Sequence, residues 1–161
     1  MSELSFSNKK IIQKLGEDTI YTAKGHFKAC DIRRTCIRIT IWTCAIVNII
    51  GLIVSNPVLC RLLSCVSLLG MIALLIWDSS ENKDYRNRHK QAAEKYLALH
   101  KEIRKAYYLD YISQQDILEL SNRVIELDQN CELEIPFLAR KRAKKAIEKR
   151  DSEVDKWFTE E

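Results

Sequence analysis

Three sets of residues carry side chains able to do chemistry: three histidines, six cysteines and a basic run from Arg140 to Arg150. His26, His89 and His100 stand in no HExxH pair and in no triad-like setting. Hydrolytic zinc or acid–base catalysis needs its groups on one helix face or around one nucleophile. The cysteines at 30, 36, 44, 60, 65 and 131 include no CxxC pair, so zinc or thioredoxin-like chemistry is not expected. There is no P-loop and no GxGxxG. The chain therefore reads as a non-enzyme that needs no cofactor and no metal.

The basic run "RKRAKKAIEKR" holds Arg140, Lys141, Arg142, Lys144 and Lys145 in its first two turns. Three readings stay open. The run is a solvated helix face whose charges pair with the acidic residues after it. Alternatively it contacts anionic lipid, worth about 1 kcal/mol per basic residue near a surface, or it holds a phosphate-bearing ligand. Nucleic acid is excluded as a partner, because the net charge is only +4 and no recognition module or stacking platform is present.

The elements that position these groups are set by the stretch Ile39 to Trp77, whose only charge is Arg61. A bilayer core about 30 Å thick needs roughly 17 to 25 apolar residues in a helix. Residues 39–55 and 58–77 each meet that length. Asn56-Pro57 between them ends one helix and opens the next. A soluble helical hairpin would show a polar residue every third or fourth position, and neither segment does. The sequence thus predicts a two-helix transmembrane hairpin. Arg61 lies within a turn of Pro57, near enough to the surface to snorkel. Arg33, Arg34 and Arg38 precede the first span, and Lys83, Arg86, Arg88 and Lys90 follow the second. By the positive-inside rule both termini are cytoplasmic. Trp42 and Trp77 sit at the cytoplasmic ends, as an aromatic belt would. The leading residues are polar, so no cleaved signal is expected. Thiols here stay reduced, and only Cys60 approaches the outer face.

Each span carries a small or polar stripe. Thr40, Cys44, Asn48, Gly51 and Ser55 fall within about 80° at 100° per residue. Cys60, Ser64, Ser67 and Met71 make a second line that continues to Asp78. Such stripes pack helices closely in lipid, or they line a water path. Both readings favour self-association, and Asn48 is the costliest to leave facing lipid.

The remainder reads as cytoplasmic helix. Residues 1–38 predict a helix interrupted or bent near Gly16 or Gly25. From Ser80 to about Tyr111 a long helix carries Tyr85, His89, Ala92, Tyr96, Leu99, Ile103 and Ala106 at alternating steps of four and three, a heptad seam expected to join subunits. Ser113 and Asp116 form a capping-box start for a helix with Ile117, Leu120, Val124 and Leu127. Pro136 begins a last helix with Ala139, Ala143, Ala146, Ile147, Val154 and Trp157 along one side. The fold class expected is an all-α membrane protein, one oligomerising unit over 1–161, divided at 38/39, 55–58 and 77–79.

This arrangement resembles the SLATT domains, the SMODS- and SLOG-associating two-transmembrane effectors of bacterial conflict systems. The likeness rests on "YTAKGHFKACDIRR", the tight "SNP" turn, "HKQAAEKYLALHKEIR" and "PFLARKRAKKAIEKR". It implies a homo-oligomeric effector in the bacterial inner membrane, triggered by a separately encoded nucleotide-signalling enzyme or sensor, that permeabilises or depolarises an infected cell. It supplies no catalytic motif. From the residues alone, a membrane anchor whose cytoplasmic helices recruit a partner is the alternative.

Overall fold

The computed structural model describes residues 2–77, 80–109 and 112–148, with side chains over 7–76, 83–109 and 112–148. Five α-helices follow one another among the described residues: α1 (Ser2–Ile53), α2 (Pro57–Trp77), α3 (Ser80–Tyr107), α4 (Gln114–Asn130) and α5 (Phe137–Glu148). The chain forms two compact units, one of residues 30–87 and one of the residues up to Ala29 together with those from Arg88 onward. These boundaries fall outside the 38/39 and 77–79 divisions expected from hydropathy.

In the unit of residues 30–87, the end of α1 and α2 lie antiparallel. Asn56 caps α2: its Oδ1 accepts the Val58 N–H at 3.0 Å and the Leu59 N–H at 3.4 Å. Pro57 occupies the first helical position, where a missing N–H costs nothing. Outward from the pair, side chains stay uncovered: Leu52 is 88% exposed, and Ile53 and Leu75 are each 76% exposed. Both helices are long and apolar enough to cross a membrane.

The other unit packs the first part of α1, the later part of α3, α4 and α5. Ile12 and Ile20 of α1 meet Leu99 and Ile103 of α3, Ile117, Leu120 and Val124 of α4 and Ile147 of α5 in one core. The expected seam is consumed here. His89, Ala92, Tyr96, Leu99 and Ile103 are all buried, and a side chain enclosed by its own chain has no surface left for a subunit contact. Ala106 is partly buried against the same core. Tyr85, in the other unit, is half-buried beneath the Arg33 guanidinium at 4.2 Å.

The interruption expected near Gly16 or Gly25 is absent, because α1 runs unbroken through both. Gly25 has a packing reason. A Cβ there would meet Ile135 Cδ1 at 3.0 Å, so glycine lets the α4–α5 connection close onto α1. Ser113 caps α4 reciprocally with Asp116, at 3.1 and 3.2 Å. Val154, Trp157, Asp78 and Tyr111 lie outside the described residues.

Gly25→Val is expected to destabilise this unit by about 1–3 kcal/mol through overpacking against Ile135. Denaturant unfolding followed by far-UV circular dichroism checks it; a stability equal to wild type would mean that Ile135 moves aside freely.

Candidate functional site

Between α1 and α2 the two predicted stripes meet. The Asn48 amide Nδ2 donates to Ser67 Oγ at 2.7 Å, and Ser67 is 3% exposed. The Cys60 thiol donates to the Gly51 carbonyl, and the Cys44 thiol faces the Ser67 carbonyl at 3.9 Å. A Cβ added to Gly70 would collide with Cys44 Sγ, so Gly70 sets the closest approach. The stripe reading passed over Gly70, although a glycine inside an apolar helix is itself a signal of close packing. The other stripe residues turn elsewhere. Thr40 donates to the Cys36 carbonyl and Ser64 to the Cys60 carbonyl, each on its own helix. Ser55 and Met71 are exposed.

A second polar cluster lies in the core of the other unit, and spacing along the chain gave no hint of it. His26 Nδ1 and His89 Nδ1 are 2.8 Å apart, and the residues are 1% and 0% exposed. One of the two atoms carries the hydrogen that the other accepts. His26 Nε2 approaches Cys131 Sγ at 3.7 Å, and the Tyr96 ring stacks on His26 at 5.8 Å between centroids. Tyr96 donates its hydroxyl to Asp128 Oδ1 at 2.6 Å. Burial, reinforced by the Asp128 carboxylate, pushes that phenol far above its ordinary value. Burial and the neighbouring His89 depress His26 from 6.5 to about 4. About three helical turns along α3 from His89, His100 donates Nδ1–H to the Gly16 carbonyl at 2.9 Å, beside Thr19. All three histidines thus tie α1 to α3. Among the described residues no group of three potential ligands is placed to hold a metal ion, and none of the six cysteines is in a disulfide.

The basic run divides by face. Arg140, Lys141 and Lys144 line a groove of about 610 Å³ with Tyr21, Thr22, Ile135 and Phe137, whereas Arg142 and Lys145 do not. All five are exposed.

No family model matches the chain, and no curated protein or solved structure is detectably similar to it.

Two outcomes follow from these contacts. Asn48→Leu removes an interhelical hydrogen bond worth about 0.6–2 kcal/mol, so the thermal midpoint in detergent should fall. Adding Ser67→Ala should cost little more, because both changes delete the same bond; full additivity would show that the two side chains act separately.

The histidine pair predicts a pH response. The folded state favours neutral His26 while the unfolded chain protonates at its ordinary value, so this stabilisation is complete above about pH 6.5 and is lost as pH falls toward 4. Melting curves of wild type and His26→Gln should converge over that window on acidification; a constant difference would contradict the assignment.

Proposed function

We propose that the chain is a two-span protein of the bacterial inner membrane, both termini cytoplasmic, acting as an oligomeric effector that permeabilises the membrane. A separately encoded nucleotide-signalling enzyme or sensor triggers it by biasing the cytoplasmic helices toward an open arrangement. One observation carries the membrane half of this reading. Around the antiparallel pair, isoleucines and leucines point outward with no cover, while Ser67 is buried between the helices and the Asn48 amide and the Cys60 thiol each donate across to the facing helix. In water such a surface would aggregate, and in lipid it is solvated. The basic residues before α1's apolar stretch and after α2 supply the orientation.

The effector half rests on the resemblance to SLATT domains. Two helices enclose no pathway, so permeation requires several copies about an axis. The anchor reading draws on one specific contact: the amide of Asn48 is spent on Ser67 of the same chain, which leaves fewer polar groups to line a shared channel.

Topology is tested in a cysteine-free background. Ser55→Cys, at the exposed connection, should react with an impermeant maleimide added to intact cells, and Glu132→Cys only after lysis; the reverse pattern inverts the orientation. Activity is tested with a membrane-potential dye in cells carrying the chain and its genomic neighbours, challenged with phage. Triggered depolarisation supports the effector. Its absence, with insertion intact, favours the anchor.

A further inference from the structure

The groove between α1 and α5 combines two features that are separate on most surfaces. Its walls are Ile135, Phe137 and the Tyr21 ring, and its rim is Arg140, Lys141 and Lys144. Phe137, Arg140, Lys141 and Lys144 recur at steps of three and four, so one face of α5 delivers an aromatic and three cations to the same place. No acidic side chain lines it among the described residues. Lys144 is engaged only in an exposed pair with Glu148 at 3.8 Å, while Arg140 and Lys141 make no ion pair among the described residues. Within this groove Phe137 is 77% exposed.

We propose that this groove is a binding site for one anionic phospholipid, its phosphate held by Arg140, Lys141 and Lys144 and its glycerol and upper acyl segment lying against Ile135 and Phe137. The volume is of ligand-site size. Charge complementarity selects an anion, and the apolar wall selects an amphiphile over a free phosphate, which would leave Phe137 in water. Bare phosphate attraction would recruit Arg142 and Lys145 equally, since they lie on the same helix with the same exposure. The groove singles out three of the five. The inference depends on the membrane reading above, because it needs a lipid source.

The test compares two variants of equal charge loss, Arg140→Gln/Lys141→Gln and Arg142→Gln/Lys145→Gln. All four side chains are exposed, so both variants should keep the wild-type circular dichroism and melting midpoint. The detergent-solubilised full chain is titrated with phosphatidylglycerol and bound lipid is counted by native mass spectrometry. The expected result is a saturable first site that the Arg140/Lys141 variant weakens by about tenfold or more and the Arg142/Lys145 variant by less than about twofold. Equal loss in both variants overturns the proposal in favour of a diffuse basic surface. Equal binding of phosphatidylcholine also overturns it, as does displacement of the lipid by inorganic phosphate or a soluble nucleotide, which would mark a free phosphate ligand. Insertion into neutral vesicles, measured separately by flotation, reports on the membrane reading alone.

Discussion

An amide that sits among isoleucines and leucines must find a hydrogen-bond partner, and Asn48 finds it in Ser67. Much of the apolar pair follows from that demand. The bond sets the register between α1 and α2, and Cys60 against Gly51 and Gly70 against Cys44 then fall into place on either side. Ser67 is buried in this contact, and the aliphatic side chains of both helices turn outward. So continuous an apolar surface is costly in water, and both helices are long and apolar enough to cross a membrane.

Buried polar groups in the second unit also find partners. There the core excludes water around aliphatic residues of α1, α3, α4 and α5, and the three histidines enter it with polar contacts at Nδ1: His26 with His89, and His100 with the Gly16 carbonyl. A satisfied buried polar group adds specificity of register, whereas an unsatisfied one would cost about 1–3 kcal/mol. Protonation of the close histidine pair would place charge where none is solvated. The His26 contact between α1 and α3 is therefore weakened by acidification.

Much of the architecture was legible in the sequence, for local reasons. The Asn56-Pro57 break and the Ser113/Asp116 cap depend on residues within a turn or two of one another, and each is found, whereas α1 is one helix from Ser2 to Ile53 and does not mark where the apolar stretch begins. The heptad pattern of α3 was legible as an apolar face but not as to what covers it. Tyr96, Leu99 and Ile103 satisfy a coiled-coil seam and an intrachain core equally well. Gly25 looked like a helix breaker because Ile135, its packing partner, is remote in sequence. For the same reason the His26–His89 contact and the division of the basic run into groove and open face had no sequence signature: both join α1 to segments beyond α2.

The central proposal is that the outward aliphatic face of the apolar pair is solvated by lipid while Ser67 stays buried between the two helices. Spin-label accessibility along residues 39–76 in reconstituted bilayers tests it most directly, with oxygen and a water-soluble nickel chelate as paired relaxants. The account predicts oxygen exposure and nickel protection at outward positions such as Ile46 and Leu69, and protection from both reagents at Ser67. Nickel access along the outward face would contradict a membrane-spanning pair. Nickel access at Ser67 would contradict inward polar packing and point to a water-filled path.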